Sequence, residues 1–418
     1  MFRRFSARLC LAAVAATTTS APPSATPTTT NSRHVDLIEA PRDAMQGLKD
    51  FVPTDSKVRY IQALLGCGFH TLDCGSFVSA PMVPQMRDTQ EVLDRLDMSG
   101  TTTRLMVVCA NLKGTEKAAA HPKVTYVGYP LSACETFQRK NTNRSIAQAL
   151  EDIGNVQRIC SSNGKELVTF ISMGFGNPYG EDFSPEIVER LVDRVVAGGC
   201  RIVSLADTVG VSEPGIITTL FSTIIPKHPN VTVGAHFHSG AVESREKIKA
   251  ALESGCRRLD HAIGGMGGCP FAKSTLVGNV STETVLSTIQ ELGYHHQVDL
   301  DALAKCQAIR HDVFGVGVKE LLLANVMNDE KAFVEICTRH FKKADVSGTG
   351  HLTREGFTEA VRKVFSDLGE EPPLAERIMA KFTEIDLSED GRITLDEYIL
   401  GARRFLKKRL AKLMAAAH

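Results

Sequence analysis

From Val35 to about Gly293 the chain alternates between short apolar runs and longer stretches whose apolar residues recur every three or four positions. The runs Val35–Ala40, Thr71–Phe77, Arg104–Asn111, Val124–Tyr129, Leu167–Met173, Arg201–Asp207, Val231–His238 and Arg257–Ile263 have the length and composition of buried strands. Helical spacing is clear in Pro185–Ala197, where Ile187, Leu191 and Val195 fall four apart, and in Ser244–Glu253, which runs into a Gly255-Cys256 stop. Eight strand–helix units over roughly 250 residues predict an α/β fold, a closed (β/α)8 barrel, with a doubly wound open sheet as the alternative. The first strand is not followed by Gly-x-Gly-x-x-Gly, which counts against the open dinucleotide-binding form.

After Gly293 the pattern turns helical, and between Asn328 and His418 it reads helix–loop–helix twice. In the second loop Asp386, Ser388, Asp390, Gly391, Thr394 and Glu397 stand at positions 1, 3, 5, 6, 9 and 12, with the Arg392 carbonyl at 7 and Ile393 at the apolar position 8. That spacing of oxygen donors is an EF-hand calcium loop, so Ca²⁺ is the expected ion. The first loop matches at Asp345, Ser347, Thr349 and Gly350 but has Gly356 at position 12, its glutamate falling one place early at Glu355. Without that bidentate carboxylate the first hand is expected to serve as the structural partner of the second. Glu371-Pro372-Pro373 links the two hands, and the basic stretch from Arg403 to Lys412 reads as a solvated helix face or a calcium-dependent protein contact. The expected division is residues 1–33 as leader and linker, 34–325 as the barrel and 326–418 as a smaller all-α EF-hand pair.

Composition narrows the function classes. A hydrophobic fraction of 43% suits a large globular core, and a net charge of zero argues against a nucleic-acid binder. No apolar run reaches the roughly 18 residues a membrane span needs. Eleven cysteines occur without Cys-x-x-Cys pairing, which fits a reducing compartment better than a disulfide framework. Residues 1–33 contain Arg3, Arg4, Arg8 and Arg33, many Ser and Thr, and no acid before Asp36. This is the composition of a mitochondrial presequence leading to the matrix, with a secretory signal around Leu9–Ala16 as the alternative.

In a (β/α)8 barrel the chemistry lies at the carboxyl ends of the strands, and the unusual polar residues fall there. Arg42-Asp43 follow the first strand, Asp73 and Ser76 lie in the second, and Asp207-Thr208 end the sixth. His236 and His238 end the seventh on one face, a natural pair of metal ligands, with Phe237 turned into packing. The loop Gly264-Gly265-Met266-Gly267-Gly268-Cys269-Pro270-Phe271 follows the eighth and places one thiol in a run of glycines, a setting for mobility or close backbone approach.

The motifs Pro41-Arg42-Asp43, Ser76-Phe77-Val78-Ser79 with Val83-Pro84-Gln85-Met86, Asp207-Thr208-Val209-Gly210, His236-Phe237-His238 and Gly267-Gly268-Cys269-Pro270-Phe271 occur in the order in which they resemble 3-hydroxy-3-methylglutaryl-CoA (HMG-CoA) lyases, metallolyase barrels. The resemblance covers nearly all of Val35 to Gly293; the C-terminal pair resembles calmodulin-like modules and lies outside that family's usual chain. It implies an acyl-CoA substrate, a catalytic Mg²⁺ or Mn²⁺ held by Asp43, His236, His238 and Asn279, Arg42 facing the thioester carbonyl, and Cys269 as the acid. It also places Gln46, Asp73, Asp207, Thr208 and Tyr179 near the substrate, and Asn111 and Lys113 near the phosphates of CoA. A homodimer is the usual assembly.

Three departures stand out. Asp73 replaces a glutamate, with the expected loss or water-bridging of a hydrogen bond. Glu39 falls one place nearer to Pro-Arg-Asp than the family's glutamate. One residue is inserted between Cys269 and Asn279.

The residue types suit the implied retro-Claisen chemistry. A divalent ion bound by mixed O/N ligands acidifies a tertiary hydroxyl, an arginine stays protonated beside developing negative charge, and a thiol of unperturbed pKa about 8.5 can return a proton to the enolate. The base stays open between His236 and a water oriented by Asp207. Three other readings compete: a lyase acting on a related 3-hydroxyacyl-CoA, left open by Asp73 and the altered glycine loop; a citramalate- or isopropylmalate-type synthase, disfavoured because the chain lacks Leu-Arg-Asp-Gly; and a calcium-responsive binding protein on a decayed barrel, disfavoured because the ligand set is complete.

Overall fold

The computed structural model describes residues 33–48, 50–240, 243–267, 278–314, 330–367 and 373–416. The expected leader and the Glu371-Pro372 link therefore lie outside the described residues, as does Cys269.

The eight strands form where the apolar runs predict them: β1 (Asp36–Glu39), β2 (Thr71–Ser76), β3 (Arg104–Val108), β4 (Val124–Ser132), β5 (Glu166–Ser172), β6 (Ile202–Asp207), β7 (Thr232–Phe237) and β8 (Arg258–His261). They pair in parallel in sequence order and close through β1 and β8, with Glu39 opposite His261. Alternation along the strands sorts their side chains into two layers. Ile38, Met106, Tyr126, Val168, Phe170 and Ile202 pack inside the barrel, while Leu37, Leu72, Val107, Val127 and Val203 face the helices in the main core.

The helices Pro185–Ala197 and Ser244–Glu253 have the bounds the sequence predicts. The first buries Val188, Leu191, Val192 and Val195, leaving Ile187 half-buried in its first turn. β4 runs three residues past its predicted end because Tyr129 to Ser132 continue to pair with Thr169 to Ser172. β3 stops short because Asn111 turns away to cap the helix Leu112–Ala120, its Oδ1 accepting from Gly114 N at 2.8 Å.

The C-terminal region forms the helices Glu330–Ala344, Arg354–Asp367, Ala375–Ile385 and Leu395–Ala416. Phe333, Phe341, Leu352, Phe357, Ile378, Phe382, Ile393 and Tyr398 form their core. The expectation of an all-α unit needs one addition: His351–Leu352 and Ile393–Thr394 pair antiparallel, joining the two calcium-type loops. Among the described residues every cysteine is a buried free thiol, and no helix is long and apolar enough to cross a membrane.

Candidate active site

Asp43 enters the site through a six-residue helix, Pro41–Gln46, that starts directly after β1 with proline in its first turn, where a missing N–H costs nothing. Its neighbour Arg42 organises the surroundings. Arg42 Nη1 donates to Asp43 Oδ1 at 2.9 Å and to Gln46 Oε1 at 3.0 Å, while Nε and Nη2 form a fork on Asp73, with Nη2 to Oδ2 at 2.5 Å. Gln46 Nε2 then donates to Asp43 Oδ1 at 2.5 Å. The shorter side chain of Asp73 thus keeps a direct bidentate bond, contrary to the loss or water bridge expected for it, because Arg42 reaches across from the helix Pro41–Gln46 to β2. Burial raises the pKa of Asp43, but the charges of Arg42, His238 and His236 and the Asn279 hydrogen bond outweigh it and hold it at about 2. The carboxylate is ready to take a cation.

β7 delivers the imidazoles as predicted, with Phe237 turned to the other side against Phe175. One ligand atom from each of Asp43, His236 and His238 lies within 4.8 Å of the others, and all three residues are buried. His236 Nδ1 lies 3.1 Å from Asp260 Oδ2, which fixes the ring and leaves Nε2 for other use. Burial lowers the pKa of His236, but the Asp260 hydrogen bond and charge turn the net shift upward. Burial and the neighbouring His236 push His238 down to about 4, keeping it in the neutral, ligand-competent form.

Asn279 reaches the same point after a gap of 236 residues from Asp43: its Nδ2 donates to Asp43 Oδ2 at 2.6 Å and to Met266 O at 2.8 Å. Its Oδ1 is buried with no protein partner. An unfilled amide oxygen on a side chain bonded to an ionised carboxylate, with two imidazoles beside it, is what a divalent cation would complete, so the donor set fits the expected metal. Gly267 is required next to it, at φ 102°, since a Cβ there would meet Asn279 Nδ2 at 2.5 Å and Asp43 O at 2.8 Å.

The remaining predicted residues divide. Asp207 is spent on structure: its oxygens accept from Val211 N, Ser212 N, Ser212 Oγ and Lys247 Nζ at 2.9, 3.0, 2.6 and 2.9 Å. Oδ2 thus takes three donors and Oδ1 one, so most of the carboxylate is engaged within the protein. Thr208 Oγ1 accepts from Met173 N, holding that residue at φ 55° beyond β5. Tyr179 is half-buried against the cluster of Cys134, Phe137, Met173 and Val209, with Lys140 Nζ 4.6 Å from its ring centre. Lys113 and Asn111 are exposed, and the capping bond of Asn111 engages its carbonyl oxygen.

Two buried residues, Asp260 and Lys247, were missed in the sequence, and Glu39 was singled out there without its partners. Asp260 anchors His236. Lys247 pairs with Asp207 and donates to the carbonyls of Gly210 and His238. Glu39 binds His261, Thr282 and Ile263 N. Asp260 and Glu39 lie in strands, where a carboxylate in a buried run was itself a signal; Lys247 has no such signature, since a lysine on an amphipathic helix reads as surface.

In the second calcium-type loop Glu397 folds inward, its Oε1 accepting from Leu387 N and Ser388 N and its Oε2 from Thr394 N and Oγ1. Asp386 Oδ2 accepts from Gly391 N at 2.9 Å and Asp390 Oδ1 from Arg392 N at 2.9 Å. The first loop gathers on Asp345, which accepts from Thr349 N and Gly350 N, with Gly356 at its twelfth place.

The profile of the HMGL-like family matches residues 35–309, and that of the EF-hand domain pair matches residues 333–403. The cytoplasmic 3-hydroxy-3-methylglutaryl-CoA lyase of Danio rerio is 34% identical over 270 residues, 64% of this chain and 79% of that protein. The mitochondrial hydroxymethylglutaryl-CoA lyase of Mus musculus is 31% identical over 288 residues, 67% and 87% of the two chains. Among solved structures, the HMG-CoA lyase of Brucella melitensis superposes with a TM-score of 0.63 at 30% identity, over 68% of this chain and 99% of that one. An HMG-CoA lyase from Acinetobacter baumannii, solved with coenzyme A and 3-methylmalate, gives a TM-score of 0.64 at 28% identity, over 70% and 94%. With the barrel, its strand-end residues and these relatives in agreement, the chain belongs to the HMGL-like family as a lyase that carries a C-terminal EF-hand pair.

Proposed function

We propose that the protein cleaves 3-hydroxy-3-methylglutaryl-CoA to acetyl-CoA and acetoacetate with Mg²⁺ or Mn²⁺, the carbon–carbon cleavage of leucine breakdown and ketone-body formation. The observation that carries this reading is the buried group of Asp43, His236 and His238 at the barrel mouth, with Asn279 bonded to Asp43 and its amide oxygen left unfilled. A divalent ion bound there supplies Lewis acidity to the substrate's hydroxyl and carbonyl oxygens. Arg42 holds a fixed positive charge beside that point, its guanidinium oriented by Asp73 and Gln46. His236 is favoured as the base over a water on Asp207, whose oxygens already accept from Val211, Ser212 and Lys247. Cys269 is assigned the proton that the enolate carbon takes up, from its place in the glycine run.

Gln46 is assigned to orienting Asp43, Thr208 and Tyr179 to the acyl end, and Lys113 with Asn111 to the charged end of CoA. The coenzyme A complex of the Acinetobacter baumannii enzyme supports an acyl-CoA substrate. Relatives named mitochondrial support the matrix as the destination of a chain with an Arg-, Ser- and Thr-rich start, although cytoplasmic forms occur too. Asp386, Ser388, Asp390, the Arg392 carbonyl and Glu397 are assigned to one Ca²⁺, and residues 34–325 and 326–418 to the two functional parts. The test is coupled detection of acetoacetate and acetyl-CoA from HMG-CoA with Mg²⁺, comparing the full chain with Cys269→Ala. Turnover by the full chain and its loss in the variant support the reaction and the acid; no turnover by the full chain overturns the reading.

A further inference from the structure

Asn279 sits on a segment whose register decides what faces the metal site. Gly278–Thr282 returns to the barrel mouth and is bonded to the chain at the ends of β7 and β8. Ser239 N donates to Gly278 O at 3.0 Å, Val280 N to Phe237 O at 3.0 Å, Ala262 N to Val280 O at 3.2 Å and Thr282 N to Ala262 O at 3.1 Å. His238 bridges Asn279 and Ala262 bridges Ser281 across these bonds. Along an extended chain successive side chains face opposite ways, so a slip of one place would put Gly278 or Val280 where Asn279 now meets Asp43. Backbone bonds reform after a slip and do not choose the register; a side chain must.

We propose that Glu39 makes that choice and is a positioning residue for Asn279. Its carboxylate is fully buried, as are His261 and Thr282. Oε1 accepts from Ile263 N at 2.8 Å, on the limb that leaves β8, and Oε2 accepts from Thr282 Oγ1 at 2.6 Å, on the limb that returns. His261 Nδ1 lies 3.0 Å from Oε2 and 2.9 Å from Thr282 Oγ1, closing the cluster.

One carboxylate thus ties both limbs, three residues from Asn279. A slip in one direction brings Glu283 against Glu39, two carboxylates in a buried place. A slip in the other brings Ser281, whose hydroxyl is engaged in capping the helix Thr282–Glu291 through Thr284 N at 3.1 Å. In the native register Glu283 instead accepts from Gly264 N at 3.0 Å and from Gln307 Nε2 at 2.8 Å, a second tie on the outgoing limb. The place of Glu39 in β1 makes this possible. Ile38 points into the barrel, so a glutamate one residue later faces outward, toward the returning limb.

The inference rests on the metal site assigned above, and Mn²⁺ itself is the probe. The full chain is titrated with Mn²⁺ by electron paramagnetic resonance, with saturating Ca²⁺ to fill the EF-hand, and thermal midpoints verify folding. Glu39→Val is expected to weaken Mn²⁺ binding by roughly 10- to 100-fold, the usual range for a group that orients a metal ligand, and Thr282→Val by about 10-fold. In an Asn279→Ala background neither change is expected to weaken Mn²⁺ further, because both act through that amide. Folded Thr282→Val and Glu39→Val within twofold of the parent, or an equal loss that persists without Asn279, overturns the inference. Should Glu39→Val fail to fold, the near-isosteric Thr282→Val decides alone. A parent chain that binds no Mn²⁺ overturns the metal assignment, and this inference with it.

Discussion

The molecule carries two cation-type sites built on opposite plans. The barrel site draws Asp43, His236, His238 and Asn279 from three places in the chain, buries all of them and surrounds them with oriented partners. The EF-hand site takes Asp386 through Glu397 from one contiguous loop, most of it exposed. The first plan fixes geometry through tertiary contacts and suits chemistry that needs a ligand set held still. The second fixes geometry through local spacing and suits an ion that comes and goes.

The contrast is most exposed to changes in the barrel. Asp43→Ala is expected to lower kcat/KM for HMG-CoA by on the order of 1000-fold or more, as expected for losing a charged anchor of a metal-assisted reaction; steady-state kinetics with Mg²⁺ in excess read this, and a loss under tenfold would count against the ligand assignment. Lys247→Met removes a fully buried cation from Asp207 and is expected to cost about 3–5 kcal/mol in chemical denaturation, because the carboxylate stays buried without its partner. A cost under about 1 kcal/mol would mean that the loop after β6 relaxes to let water in.

The EF-hand should respond locally. Glu397→Gln is expected to weaken Ca²⁺ by about 100-fold in calorimetry, by removing the bidentate carboxylate at the twelfth position. Turnover compared in EGTA and in saturating Ca²⁺, with Mg²⁺ fixed, tests our expectation that the calcium site changes the rate; equal rates would leave the two sites functionally separate. The smallest change is a gain. Gly356→Glu places the missing carboxylate in the first loop, where a Cβ meets only the Ala344 carbonyl at 3.1 Å as a close neighbour, and the calorimetric stoichiometry is expected to rise from one Ca²⁺ to two.

How far each site could be read in advance follows from the same difference. Asp386, Ser388, Asp390 and Glu397 were legible because a single loop supplies the ligands at fixed offsets. His236 and His238 were legible because strand alternation puts both on one face. Arg42-Asp43 followed from their place after the first strand, and Asn279 only from family resemblance. The bonds of Asp207 were not legible because sequence gives the position of a carboxylate but not how many donors surround it. The bonds of Lys247 and Glu39 escaped because their partners lie 40 and more than 220 residues away.

The sequence by itself determined the period of the elements, hence a barrel of eight strand–helix units, and the EF-hand pair, because hydrophobic periodicity and loop spacing are local properties of the chain. Tertiary structure alone decided which oxygens and nitrogens remain available for chemistry. Whether Asp43 is held ionised, how many donors surround Asp207 and whether Asn279 meets Asp43 depend on groups distant in sequence, and closure of β1 onto β8 is what brings Glu39, Ile263 and Thr282 to one point.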